Sequence, residues 1–99
     1  MAYRIQYSPE AENHLRALTA AQRTSTLSAI DTQLAHQASV ETRNRKPIRP
    51  NLLAPWELRV RNLRVFYRVQ EEPEQLVFIV AVGIKVGNRF LIAGQEVDL

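Results

Sequence analysis

The chain has 99 residues, of which 45% are hydrophobic and 23% charged, and its formal net charge is +3. This length and composition predict one folded domain over residues 1–99 and argue against general disorder. The chain has no cysteine, and its two histidines lack metal-ligand spacing, so we expect no disulfide, no metal and no cofactor.

The N-terminal third predicts a strand followed by two helices. Residues 3–7 alternate between apolar and polar side chains, which is typical of a half-buried strand. Ser8 is a candidate N-cap, and Pro9 suits the first position of a helix. Thr19 is a second candidate N-cap, and the helix after it is expected to run to about Ala38. The tight junction between the two helices predicts an antiparallel helical hairpin.

A basic loop is expected after the second helix. Residues 39–55 contain three prolines and the basic run 43–46, so the helical pattern fails there. Residues 43–68 contain eight basic residues and one acid, Glu57, a balance of +7. Such a patch is typical of a protein that binds a polyanion or an acidic protein partner, and the alternative is a solvated basic face.

Residues 56–68 predict a β-hairpin with one apolar face. Apolar residues alternate on either side of a two-residue turn, Arg61-Asn62. A turn of this length sets the register, in which Trp56 faces Tyr67 and Arg59 faces Arg64. The residues then expected to point into a core are Trp56, Leu58, Val60, Leu63, Val65 and Tyr67.

The opposite face of this hairpin is expected to be an arginine face. The register places Arg59 beside Arg64, with Arg68 further along the same face. Like charges directly opposite one another on a sheet are destabilising, so another interaction should favour the pair. We expect a bound phosphate, because a guanidinium fork matches phosphate geometry.

The C-terminal third predicts one buried strand and leaves the last segment undecided. Residues 76–84 are apolar on both faces, which is typical of a central strand, and are too few to cross a membrane. Residues 86–99 fit either an edge strand or a short helix. The order βααβββ predicts an α+β fold, in which a small antiparallel-rich sheet with an N-terminal strand carries the helical hairpin on one face. No signal peptide is recognisable, so we expect a soluble cytoplasmic protein.

This arrangement resembles the RelE/ParE superfamily, the toxins of type II toxin–antitoxin modules. The resemblance rests on the helix start at Ser8, the hairpin of residues 56–68 and the apolar strand that ends in Gly83 before Lys85. It implies a single RelE-like toxin domain and a cognate acidic antitoxin as partner. One branch of the superfamily cleaves mRNA on the ribosome without a metal ion, and another poisons DNA gyrase. The members therefore share a scaffold but not a target.

For the branch that cleaves mRNA, the resemblance also implies residue roles. Arg64 matches the phosphate-binding arginine of the family, and Arg59 lies where a lysine is proposed to assist the attacking 2′-hydroxyl. Lys85 lies where a basic residue is proposed to protonate the leaving group. The other residues expected to contact RNA are Arg43, Arg45, Lys46, Arg49, Arg61, Arg68 and Phe90.

Three positions depart from the pattern of the nucleases. Glu57 stands where many members have a second lysine, and Phe90 approximately replaces a late tyrosine. Ile84 stands where several members have a histidine. These departures favour a target other than RNA, or a loss of activity.

Glu57 is also a candidate catalytic residue. Arginine does not act as a general base in proteins, and Glu57 is two residues from Arg59 on the same strand face. The alternative is a salt bridge from Glu57 to Arg68 or Arg43. Three hypotheses follow: a ribosome-associated endoribonuclease, a gyrase inhibitor on the same scaffold, and an inactive relative that only binds an antitoxin.

Overall fold

The structure, a computed structural model, describes residues 2–97 and contains two helices and one seven-stranded sheet within that range. The elements are β1 (Arg4–Tyr7), α1 (Pro9–Arg16), α2 (Ala20–Leu34), β2 (Arg45–Pro47), β3 (Trp56–Val60), β4 (Leu63–Gln70), β5 (Leu76–Val86), β6 (Arg89–Ile92) and β7 (Gln95–Val97). The strand order is β2-β3-β4-β5-β6-β7, and β1 pairs with β5 in parallel. The predicted α+β fold, with an N-terminal strand and a helical hairpin, is confirmed.

Both helices begin where the sequence predicts. Ser8 caps α1, and Thr19 caps α2 in a capping box with Gln22, so each side-chain oxygen accepts from a backbone N–H that the helix leaves unpaired. α2 ends at Leu34, about one turn before the predicted end. Gln37 lies just beyond that end with a φ of 56°, a left-handed conformation that does not continue a helix.

The β3–β4 hairpin has the predicted register. Trp56 pairs with Tyr67, and Arg59 pairs with Arg64, on either side of the Arg61-Asn62 turn. The apolar face of the hairpin packs against both helices in the main core. Its fully buried members are Leu58, Val65 and Tyr67.

The opposite face of the hairpin carries Arg59 beside Arg64, as the sequence predicts, but part of this face is covered. Phe66 is fully buried there, in a second apolar cluster with Ala54 and Ala81. Apolar side chains from the loop of residues 48–55 and from β6 pack onto this cluster. The sequence did not predict this cover, because the alternation within a hairpin does not reveal that a distant loop and a later strand pack on the same surface.

The C-terminal segment that the sequence leaves undecided forms the strands β6 and β7. β6 pairs with β5 and β7 pairs with β6, both antiparallel, and Ala93 and Gly94 make the turn between them with φ values of 52° and 78°. Residues 98 and 99, which belong to the same predicted segment, lie outside the described residues. No helix between residues 2 and 97 is long and apolar enough to cross a membrane.

Helix α1 completes the hydrogen bonding of one edge of β5. On that edge β1 pairs with residues 76–79 and β6 with residues 84–86, so the backbone between them lacks a partner among the described strands. Ser8 Oγ donates to Val80 O at 2.8 Å, and Val82 N donates to His14 Nδ1 at 3.2 Å. These two side chains satisfy backbone groups that would otherwise be unpaired.

We expect the His14 contact to make stability depend on pH. Burial lowers the pKa of His14, against the opposing effect of the Glu10 carboxylate, and Nδ1 must remain unprotonated to accept from Val82 N. The unfolded chain therefore binds more protons near the ordinary histidine pKa of about 6.5. As the pH falls through that value, the free energy of unfolding decreases, and it levels off below the pKa of the folded state.

Urea denaturation at about pH 7.5 and at about pH 5.5 checks this dependence. We expect His14→Gln to reduce the difference between the two pH values, because glutamine can accept from Val82 but does not titrate. The exposed His36 provides the matched control, since His36→Gln should retain the wild-type difference. A full wild-type difference in His14→Gln would contradict this account.

Candidate functional site

Three charged side chains of the hairpin meet on its second face. Glu57 and Arg59 alternate on β3, and Arg64 is the register partner of Arg59, so all three point to the same side of the sheet. Arg59 Nε lies 3.7 Å from Glu57 Oε1, and Arg64 Nε lies 3.9 Å from Glu57 Oε2. The Glu57 carboxylate thus lies between the guanidinium groups of Arg59 and Arg64. The salt bridge to Arg68 or Arg43, which the sequence left open as an alternative, is not the one observed.

These three side chains differ in exposure. Those of Glu57 and Arg64 are 4% and 10% exposed, whereas that of Arg59 is 45% exposed. Arg64 Nη1 donates to the carbonyls of Arg61 (2.6 Å) and Leu63 (2.9 Å) and so braces the hairpin turn. Burial lowers the pKa of Arg64, and the Glu57 carboxylate opposes that shift. Arg59 is therefore the member of the cluster most accessible to a ligand.

Two buried atoms of this cluster lack hydrogen-bond partners. Glu57 Oε2 and Arg64 Nε are both inaccessible to solvent, and neither forms a hydrogen bond within residues 2–97. An unpaired buried polar group costs about 1–3 kcal/mol, and more when it is charged. The two atoms are 3.9 Å apart, too far for a hydrogen bond to each other, and an oxygen atom would reach both only after a neighbouring side chain moves aside.

Lys85 lies on the same face, beyond the end of the hairpin. Arg64 pairs with Gly83, and Lys85 is two residues further along β5. Lys85 Nζ lies 5.9 Å from the centroid of the Phe90 ring, and the Phe90 ring packs edge-on against Phe66 with centroids 6.1 Å apart. Phe90 is thus part of the second apolar cluster, and stacking of its ring on an RNA base stays a prediction.

Most of the other basic residues predicted to contact RNA lie at the surface. Lys46 is partly buried and lies 3.3 Å from the Glu41 carboxylate, and Arg68 Nη2 donates to Leu53 O at 3.5 Å. The exposed members are Arg43, Arg49, Arg61 and Arg68. Their exposure keeps them as predicted contacts of a polyanion. In the described part of the chain, no group of three or more His, Asp or Glu side chains is placed to hold a metal ion.

Arg45 is buried on the helical side of the sheet. Arg45 belongs to β2, a strand within the basic loop that the sequence did not predict. It pairs there with the buried Leu58 of β3, so its side chain points inward. Nη1 donates to Gln33 O at 2.8 Å, near the end of α2, and Nε donates to Val40 O at 3.0 Å. The side chain is therefore not available to RNA, and a structural role replaces the predicted contact.

Arg45→Ala is expected to lower the free energy of unfolding by about 2 kcal/mol, because the carbonyls of Gln33 and Val40 lose their charged donor in the interior. The exposed Arg43 is the matched control, and Arg43→Ala should change stability by less than about 0.5 kcal/mol. Urea denaturation of both variants checks the prediction. Equal stability of the two would show that the buried contacts contribute little.

An unpredicted groove lies between α2 and the hairpin turn. It consists of two adjoining cavities of about 500 and about 220 Å³, which share Ser25, Val60 and Arg61. Three hydroxyl residues of α2, at positions 25, 28 and 32, line the larger cavity with helical spacing. The i, i+3, i+7 spacing of Ser25, Ser28 and Thr32 is visible in the sequence and could have indicated a polar groove along α2.

Comparison with known proteins places this fold and hairpin in a family. Residues 5–85, which are most of the chain, match the family described as "ParE toxin of type II toxin-antitoxin system, parDE". The chain belongs to this family. It is a type II toxin of the RelE/ParE superfamily, as the resemblance implied.

The structure of this ParE-family toxin is similar to one in a crystal structure of the toxin–antitoxin complex RelBE2 from Mycobacterium tuberculosis. The TM-score is 0.72 and the sequence identity 21%, and the match covers 86% of this chain and 100% of that one. At this identity the likeness supports the fold alone. No curated protein gives a significant match.

Proposed function

We propose that this toxin is a ribosome-associated endoribonuclease that cleaves mRNA without a metal ion and thereby inhibits translation. The proposal rests on the buried Glu57 carboxylate, whose Oε2 has no hydrogen-bond partner within residues 2–97 and lies 3.9 Å from Arg64 Nε, which also lacks a hydrogen bond. Departures from full pairing are concentrated at functional sites. A hydroxyl group would satisfy both atoms at once, by donating to Oε2 and accepting from Nε–H.

In the proposed reaction, that hydroxyl is the 2′-hydroxyl of a ribose. Glu57 accepts its proton while the 2′-oxygen attacks the adjacent phosphorus, and a 2′,3′-cyclic phosphate forms. The bond from phosphorus to the 5′-oxygen breaks, and Lys85 gives a proton to the leaving oxygen. Glu57 gains one proton and Lys85 loses one, so the step balances without a metal ion.

The two arginines have different roles in this proposal. Arg59 is half exposed and binds the phosphate oxygens that gain negative charge in the transition state. Arg64 is largely buried and positions Glu57 and the hairpin turn. Because Glu57 Oε2 is inaccessible to solvent, a neighbouring side chain must move before RNA reaches it.

We also propose that a cognate acidic antitoxin binds the basic surface. Residues 43–68 have a balance of +7, and five of their eight basic residues are exposed, namely Arg43, Arg49, Arg59, Arg61 and Arg68. An acidic partner would neutralise this surface and block access of RNA to it. The structural relative was crystallised in a toxin–antitoxin complex.

The burial of Arg64 favours a second candidate, a DNA gyrase inhibitor on the same scaffold. Its side chain is only 10% exposed, and Nη1 is already engaged by two carbonyls. Of the two arginines beside Glu57, only Arg59 is then open to a ligand, so the exposed cationic surface is smaller than the sequence predicted. In this candidate the Glu57–Arg64 pair serves the fold.

Mapping of RNA ends after expression without an antitoxin tests the proposal. The endoribonuclease should arrest growth and produce discrete new mRNA ends by primer extension. A gyrase inhibitor should arrest growth with DNA breaks and intact messages, and an inactive relative should leave growth unaffected. Intact messages during growth arrest would contradict the proposed nuclease.

A further inference from the structure

We infer that the groove between α2 and the hairpin turn binds the phosphodiester backbone of the single-stranded RNA that flanks the cleavage site. The choice of RNA as ligand rests on the proposed function. The groove itself is independent of Glu57, because its two cavities adjoin at Ser25, Val60 and Arg61. None of the described residues that line it is acidic, so its walls favour an anion.

Arg61 is held at the centre of the groove in a conformation that its side chain does not favour. Its φ is 57°, in the left-handed region where Asn or Gly is preferred at a hairpin turn. The residue lines both cavities, and its side chain is exposed and forms no hydrogen bond or ion pair within the described range 2–97. A strained position that presents an unpaired guanidinium to a groove points to a ligand for that group.

The opposite wall of the groove offers hydroxyl groups and little bulk. Ser25, Ser28 and Thr32 line the larger cavity. Thr32 Oγ1 donates to Ser28 O, whereas the hydroxyls of Ser25 and Ser28 have no hydrogen bond with the residues that the structure describes. Serine hydroxyls and arginine guanidinium groups both donate to phosphate oxygens in nucleic-acid backbones.

Arg59 connects this groove to the candidate catalytic site. Residue Arg59 borders the larger cavity, and its side chain points to the second face of the sheet, where Nε lies 3.7 Å from Glu57 Oε1. A strand with its reacting phosphate at Arg59 would place neighbouring phosphates between α2 and Arg61. No aromatic side chain is among the described lining residues, so the groove should bind the backbone with little preference for sequence.

The first test adds a negative charge to the groove. Ser28→Asp should raise the Kd for a fluorescein-labelled single-stranded RNA of about twelve nucleotides by about tenfold, measured by fluorescence anisotropy. Gln6→Glu is the matched control, since Gln6 is exposed on β1 outside the groove, and its Kd should stay within about twofold. Equal weakening by the two variants would overturn the inference.

The second test removes the guanidinium without harming the turn. Arg61→Asn suits the left-handed φ, so the melting temperature should not fall, yet the Kd for the same RNA should rise about fivefold. The slope of log Kd against log salt should decrease by about 0.7, the value for one lost phosphate contact. Arg89→Asn, which removes an exposed arginine paired with Glu96 elsewhere, should leave both values unchanged.

The outcomes separate the groove from the proposed function. If Ser28→Asp and Arg61→Asn raise the Kd for a DNA oligonucleotide of the same sequence by the same factor as for RNA, the contacts are to backbone phosphates. That result would support the groove. Unchanged Kd values for Ser28→Asp and Arg61→Asn would refute the groove, even if messages are cleaved in cells. Intact messages in cells, with both variants weakened in vitro, would refute the proposed nuclease alone.

Discussion

Glu57→Gln is expected to lower the rate of mRNA cleavage by about 100- to 1,000-fold, because an amide cannot accept the proton of the attacking 2′-hydroxyl. Glutamine keeps the shape of the side chain but removes the charge that lies between Arg59 and Arg64. The rate is measured as loss of full-length message in a ribosome-containing translation extract. Circular dichroism establishes that the variant is folded.

Two further variants serve as a control and as an independent test of this prediction. Glu41→Gln removes the same charge from an exposed carboxylate that pairs with Lys46, and should cleave at the wild-type rate. Arg59→Gln changes a half-exposed side chain, so it does not depend on the buried pair, and should lower the rate by about tenfold. A wild-type rate in a folded Glu57→Gln variant would remove Glu57 from the mechanism.

Gly83→Ala is expected to lower the free energy of unfolding by about 3 kcal/mol, because the strand beside it leaves no room for a methyl group. A Cβ at this position would lie 2.7 Å from Leu91 O and 2.8 Å from Ile92 Cγ1. Leu91 pairs with Ile84 in the same ladder, so the backbone of β6 cannot retreat without loss of pairing. Thermal unfolding should show a melting temperature lower by more than about 10 °C.

Gly87 provides the control for this steric argument. A Cβ there would meet no atom within 4 Å, but its φ of +61° disfavours a side chain. Gly87→Ala should therefore cost only about 1 kcal/mol, from backbone conformation alone. If Gly83→Ala and Gly87→Ala were equally stable, close packing of β6 on Gly83 would not be what excludes a side chain.

The hairpin was predictable because its determinants are local. The two-residue turn and the period-two alternation of residues 56–68 fix both the register and the apolar face, and Arg59 pairs with Arg64 as expected. The helix starts at Ser8 and Thr19 were predictable for the same reason, since capping is decided within one turn.

The environment of the hairpin's second face was not predictable from local patterns. Burial of Arg64 and Phe66 depends on a loop and a strand far along the chain. Arg45 was misread because a short strand within a proline-rich basic segment turns one basic side chain inward. The partner of Glu57 was also unspecified, since several arginines lie within reach along the sequence and only the packed structure selects Arg59 and Arg64.

The chemistry of the new RNA ends tests the central claim most directly, namely that Glu57 takes a proton from a 2′-hydroxyl beside Arg59. The wild-type toxin should leave a 5′-hydroxyl on each downstream fragment and a 2′,3′-cyclic phosphate on each upstream fragment, and Glu57→Gln should form these ends about 100- to 1,000-fold more slowly. Fragments with 5′-phosphate ends would contradict the mechanism, as would formation of the ends at the wild-type rate by folded Glu57→Gln.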